Sequence, residues 1–438
     1  MKHKQFLATL FATAIMLCSF LITSAQETNV PDVPGENVIL QWNRVLQETQ
    51  RIPGQQPATV FNTRSFAMMH VAMFDAVNSI DGTYEPYWIE ISGFPRASRE
   101  AAAAQAAHDV LASLYPTRVA AFDAELAISL VGISSTRARL GLELGGRVAA
   151  SILALRAADG WSTAPPAYIL PTTPGNWQPI APSTAAGFTN YPGVLPFAIG
   201  SASRFMLNPP PVLTSTEYAL DFNEVRELGS ATSTTRTADQ TLVARLWAGV
   251  NVTNLTNPVF VWNNVARTIS IARNNTTAQN ARLFALVNIT LHDTLQTTFA
   301  SKFQYGMWRP TTAIRRADED GNPNTAPDPN WTSLLGNPPY PSYGGNNAAI
   351  GTSQSTILAL FFGRDDIPFQ NTWEGSGGAT RSYVGFTAMA DEEANSRIYG
   401  GIHYRFDNVA GQSAGRNVAN YVFQNFLKLR PTDFEKRQ

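Results

Sequence analysis

The 438-residue chain has one cysteine, Cys18, and it lies in the apolar N-terminal segment. A chain that loses this segment has no disulfide, no thiolate nucleophile and no cysteine metal ligand, so its fold rests on packing. Histidine is nearly as scarce, with five in all: His3, His70, His108, His292 and His403. HExxH and phosphate-cradling glycine loops are missing. That removes the common zinc-protease and P-loop chemistries. Charge is sparse and balanced, 32 Lys+Arg against 33 Asp+Glu with no basic run, which does not suit a nucleic-acid partner. Beyond the N-terminal segment, no stretch stays apolar for the ~20 residues that a membrane span requires. No repeat at a fixed period and no low-complexity tract is evident.

What remains is a chain rich enough in apolar residues, at 44%, to bury a large core. Lys2 and Lys4, the apolar run Phe6–Ile22 and small residues at Thr23 and Ala25 read as a secretory signal over 1–25. Cleavage is expected near Ala25, giving an exported, periplasmic or secreted, protein. Cys18 is a poor lipidation site because the bulky Met16 and Leu17 precede it.

Leu283, Val287, Leu291, Leu295 and Phe299 recur at helical spacing behind a cap at Thr276 or Thr277. Similar patterns predict helices near 36–50, 64–79, 97–130, 136–158, 215–230, 236–250, 345–361, 384–399 and 408–427. Strand-like alternation is scarce, so the expected class is all-α. The Pro/Thr/Gly-rich stretch 161–211 cannot hold regular structure. No polar linker separates independent cores, so 26–438 reads as a single helical domain, with an N-terminal half to about 160 and a C-terminal half from about 212.

Chemistry concentrates in the last third. Lys302 and Arg309 would project from one face of a continuing helix before Pro310 ends it. Gly400-Gly401 should break a helix after Arg397 and turn His403 towards another element. Asp407, one helical turn beyond His403, can hold the Nδ1 proton and leave Nε2 free as a nucleophile or metal ligand. Three cations around one oriented imidazole suit a tetrahedral oxyanion. Taken singly these residues have ordinary explanations: Asp407 as a helix cap, His403 as a core histidine, Lys302 and Arg309 as solvated charges. Their joint spacing favours one site. His70, Asp75, His292 and Asp293 read as packing or supporting residues, and His108 has no evident partner.

Lys302-x6-Arg309-Pro310 followed by Ser396-Arg397-x5-His403-x3-Asp407 resembles the outer signature motifs of the type 2 phosphatidic acid phosphatase and vanadium-dependent haloperoxidase superfamily. Trp308-Arg309-Pro310, Pro338-Pro339-Tyr340-Pro341, Arg397 to His403, Arg236 to Thr241 and the His70–Val77 segment resemble its longer, soluble haloperoxidase branch. The resemblance implies an all-helical fold of two four-helix bundles with the site in the C-terminal one. It implies vanadate held by Lys302, Arg309 and Arg397, hydrogen-bonded by the Gly345-Asn346 backbone and bonded axially to His403, with peroxide and halide as substrates. Tyr340 would line the halide pocket. In the phosphatase version phosphate replaces vanadate, a phosphoester is the substrate, and His403 is the nucleophile.

The family's Pro-Ser-Gly-His segment supplies an acid–base histidine. Here Pro341-Ser342 is followed by Tyr343, Gly344, Gly345, Asn346 and Asn347, and the histidine position is Asn347. Asparagine donates hydrogen bonds but exchanges no proton near neutral pH. Three readings stay open: a haloperoxidase, a phosphatase acting through a phosphohistidine, and a non-catalytic oxyanion-binding relative.

Overall fold

The computed structural model describes residues 35–55, 60–248, 257–373 and 378–431. The expected signal segment lies outside them. Among the described residues there are thirteen α-helices and one antiparallel hairpin, so the all-α class holds. The first half carries α1 (Val38–Arg51), α2 (Asn62–Asp81), α3 (Arg99–Leu114), α4 (Val119–Ser129) and α5 (Ser135–Arg156). The second carries α6 (Thr216–Leu228), α7 (Ala238–Leu246), α8 (Pro258–Ala272), α9 (Thr277–Tyr305), α10 (Pro310–Arg315), α11 (Asn346–Phe362), α12 (Phe386–Tyr399) and α13 (Arg405–Asn425). The hairpin pairs β1 (Phe369–Trp373) with β2 (Ala379–Tyr383) ahead of α12. Between α5 and α6 the chain is irregular apart from one short turn at Tyr191–Gly193.

Sequence expectation and structure differ at instructive places. The helix expected over 97–130 is two helices, because Pro116 cannot continue α3 and opens a short turn before α4. Helix α8 was not anticipated: Val259, Val261, Val265, Ile269 and Ile271 give it a β-branched profile that reads equally as strand. Its start is fixed by Asn257, whose side chain accepts from the Val259 amide, with Pro258 at the first helical position.

The two halves repeat one unit, although no fixed period runs through the sequence. Trp42-Asn43 on α1 matches Trp262-Asn263 on α8, and Asn62, Arg64, Phe66, Ala67 and Asp75 on α2 match Asn280, Arg282, Phe284, Ala285 and Asp293 on α9. Gly141, Gly145, Val148 and Ala149 on α5 match Gly411, Gly415, Val418 and Ala419 on α13. The contacts repeat as well. Asp75 accepts the amides of Tyr87, Trp88 and Ile89, and Asp293 those of Phe197, Ala198 and Ile199. Ser98 N donates to Arg137 O at 3.1 Å, and Gly345 N to Asp407 O at 2.7 Å. The halves meet in a buried chain in which Asn43 bonds His70 at 2.9 Å and Asn263 at 2.8 Å, and Asn263 bonds Asn288 at 3.0 Å. Loops of unequal length make the offset drift from helix to helix.

The repeat places Ile133 and Arg137 where the second half has His403 and Asp407, so the first half keeps the scaffold without the chemistry. His108, unpartnered on sequence reading, lies between Asp109 at 2.8 Å and Asp123 at 2.9 Å, which raise its pKa despite partial burial.

Candidate functional site

The site is built where α9 ends, α11 begins and the α12–α13 turn crosses them. Lys302 stands in the last turn of α9, which stops at Tyr305 because Gly306 takes a φ of 58°. A Cβ on Gly306 would lie 2.5 Å from the Leu170 side chain, so glycine is required on two counts. The expectation of one continuing helix through Arg309 is therefore corrected. Arg309 is the extended residue before α10, and chain reversal rather than helix periodicity brings it to Lys302. Gly400 closes α12 and Gly401 has a φ of 76°, which turns Ile402 and His403 inward as the two glycines suggested.

All three cations are buried and bonded to main-chain oxygens. Lys302 Nζ donates to Ser342 O at 2.9 Å and Gly344 O at 2.6 Å. Arg309 donates from Nε to Tyr340 O at 2.9 Å and from Nη1 to Ile402 O at 2.8 Å. Arg397 Nη1 donates to Trp247 O at 2.7 Å, and its buried Nε has no partner among the described residues.

His403 Nε2 lies 3.1 Å from Arg309 Nη1, and Nδ1 lies 2.9 Å from Asp407 Oδ2. A guanidinium only donates, so Nε2 carries the lone pair and Nδ1 the proton. Asp407 Oδ2 also accepts from the Ser342 hydroxyl at 2.5 Å and the Tyr404 amide at 3.2 Å. Asp407 thus both caps α13 and orients the imidazole.

Electrostatics reinforce this. Burial, then Arg309, Lys302 and Arg397, hold the His403 pKa well below its ordinary value, so the imidazole is neutral. Burial and then Arg309 lower Lys302, burial brings Arg309 down to about 10, and burial lifts Asp407 to about 6. Glu393, one turn before Arg397, accepts from the Trp262 indole at 2.7 Å, and burial pushes its pKa well above the carboxylate range. Even with Glu393 counted beside Asp407, the three cations outnumber the carboxylates. Desolvated charge of this kind costs several kcal/mol per ion unless paired. A tetrahedral oxyanion supplies that charge and meets the open Nε of Arg397, so the residues present fit vanadate or phosphate.

The middle segment differs from expectation in one donor. Gly345 N is committed to Asp407 O, so the amides at this end are those of the first turn of α11, from Asn346 onward, which have no intrahelical partner. Gly411 and Gly415 let α13 reach this helix, since a Cβ on either would lie 2.3 Å from Gly345 O or Ala349 O. Asn346 Oδ1 accepts from Thr298 at 2.9 Å. Asn347 Nδ2 donates to Trp247 O at 3.3 Å, the same oxygen that holds Arg397. The Tyr340 ring lies 5.5 Å from Lys302 Nζ and 5.1 Å from Arg309 Cζ, with Phe299 and Phe188 against it.

Sequence reading missed Trp247, which closes α7, and Glu393 and Thr298, which lie one turn before Arg397 on α12 and before Lys302 on α9 but belong to no motif. His70 bonds Asn43 and His292 bonds Thr63, while Asp75 and Asp293 tie loops to their helices, so these four support the fold. No group of three or more His, Cys, Asp or Glu placed to hold a metal ion occurs among the described residues.

Residues 282–431 match the family model of the VCPO second helical-bundle domain. The chain is 23% identical to the vanadium chloroperoxidase of Curvularia inaequalis, over 92% of this chain and 86% of that protein. A solved bacterial vanadium-dependent iodoperoxidase superposes with a TM-score of 0.76 at 22% identity, covering 90% of this chain and 97% of the other. A bacterial vanadium-dependent chloroperoxidase in its holo form gives 0.69 at 15% identity, covering 90% and 98%.

Proposed function

We propose, for a chain that is related to the vanadium haloperoxidases and has their helical fold, that it binds vanadate in the site around His403 and oxidises halide with hydrogen peroxide. The observation that carries this reading is the unprotonated Nε2 of His403 set among three buried cations. Bound vanadate would supply a Lewis-acidic centre that activates peroxide towards halide.

The chain's own residues do the rest. Lys302, Arg309 and Arg397 hold the anionic oxygens and draw off charge. Asp407 keeps the proton on Nδ1 and so keeps the Nε2 lone pair available to a bound vanadate, and Ser342 fixes Asp407 in turn. The Tyr340 ring packs against Lys302 and Arg309, backed by Phe188 and Phe299. Asn347 offers a hydrogen bond but no proton.

The test is halide oxidation by vanadate-loaded protein given peroxide with bromide or iodide. Turnover that needs vanadate and is suppressed by phosphate supports the reading. Hydrolysis of an aryl phosphate without halide oxidation would replace it with the phosphatase. Arg397→Ala is expected to weaken vanadate and phosphate binding by about 2 kcal/mol, the loss of a desolvated charge-assisted bond, and titration calorimetry measures it.

A further inference from the structure

Trp247 closes α7 and belongs to none of the motifs, yet its main-chain oxygen accepts from both Arg397 and Asn347. The last carbonyls of a helix lack intrahelical donors and carry the negative end of its dipole, so this oxygen is a strong acceptor. It takes Arg397 Nη1 at 2.7 Å and Asn347 Nδ2 at 3.3 Å. With Nη1 anchored, the buried Nε of Arg397 has no hydrogen-bond partner among the described residues.

The indole is fastened in its turn. Trp247 Nε1 donates to Glu392 Oε1 at 3.1 Å, and its ring sits edge-on to Trp373 of β1 at 4.5 Å. Glu392 is held by Tyr383 at 2.7 Å and by Arg381 at 2.8 Å, both on β2, and Arg381 reaches back to Asp239 of α7 at 2.7 Å. The hairpin, far from any signature motif, therefore clamps α7 at the residue whose carbonyl aims Arg397.

We propose that Trp247 is a positioning residue of this site: its carbonyl orients Arg397 and Asn347 towards the oxyanion, and the Glu392–hairpin clamp on its indole sets where that carbonyl stands. The proposal rests on the oxyanion reading above. It makes the hairpin part of the anion-binding apparatus.

The test is a double-mutant cycle on the full chain with inorganic phosphate as the probe, read by calorimetry. Glu392→Ala is expected to weaken phosphate binding about fivefold or more in the wild-type background and less than about twofold when Arg397 is already alanine, because its effect passes through Arg397. Trp247→Phe, which keeps the ring and loses the N–H, should behave as Glu392→Ala does. Glu392→Gln retains an acceptor for the indole and should restore most of the affinity; it also serves if the alanine variant does not fold. A clamp that only stabilises the fold would lower the melting temperature and leave affinity unchanged, or weaken binding equally in both backgrounds. Either result overturns the proposal. Wild-type protein that binds no phosphate or vanadate would instead overturn the oxyanion reading, and the proposal with it.

Discussion

Replacing His403 by alanine is expected to lower halide oxidation by about 10³-fold or more, the scale seen when a side chain engaged with the reacting centre is removed. The same change should separate two anions. Phosphate, held by charge alone, keeps Lys302, Arg309 and Arg397 and should lose less than about tenfold in affinity. Vanadate would also lose its bond to Nε2 and should weaken more than phosphate. His403→Asn is the companion variant, since its amide can still donate to Asp407 and protects the fold. Steady-state turnover and calorimetry with both anions give the answer. Turnover at the wild-type level, or equal losses for the two anions, would remove His403 from its role as ligand.

Asn347→His is expected to act in the other direction. Asn347 is partly exposed, sits at the start of α11 and shares Trp247 O with Arg397, so an imidazole there would stand beside the anion. General acid–base assistance is worth about 10²–10⁴-fold. We expect a gain of at least about tenfold in halide oxidation or aryl-phosphate hydrolysis, with anion binding retained, a modest share of that range because Gly344 and Gly345 shape the loop differently from the Pro-Ser-Gly-His segment. Rapid wild-type turnover indifferent to the substitution would assign the proton to another group. The structure names Glu393 as the first to examine, since it is buried one turn from Arg397 with Oε1 unpartnered among the described residues.

The sequence was most informative where chemistry depends on neighbours along the chain. His403 and Asp407 lie four residues apart, and their hydrogen bond closes across the start of α13, with His403 just before the Tyr404 cap. The Gly400-Gly401 break was equally local. The fold class followed from apolar periodicity, which failed at α8 because β-branched residues serve helix and strand alike.

Long-range features were not legible. Trp247 reaches Arg397 across 150 residues and Asn347 across 100 through a backbone oxygen, an atom that every residue possesses and no motif can mark. Gly345 N was expected at the anion, yet the close approach of α13 gives it Asp407 O instead. The internal repeat stayed hidden because its helices are matched residue by residue while its loops differ in length.

We propose that the desolvated cationic pocket around a neutral His403 takes one tetrahedral oxyanion. Titration of the wild-type protein with orthovanadate by calorimetry tests it most directly. The account predicts saturable binding near one equivalent, displaced by phosphate and weakened in Arg397→Ala. Folded protein that takes up neither vanadate nor phosphate would contradict it.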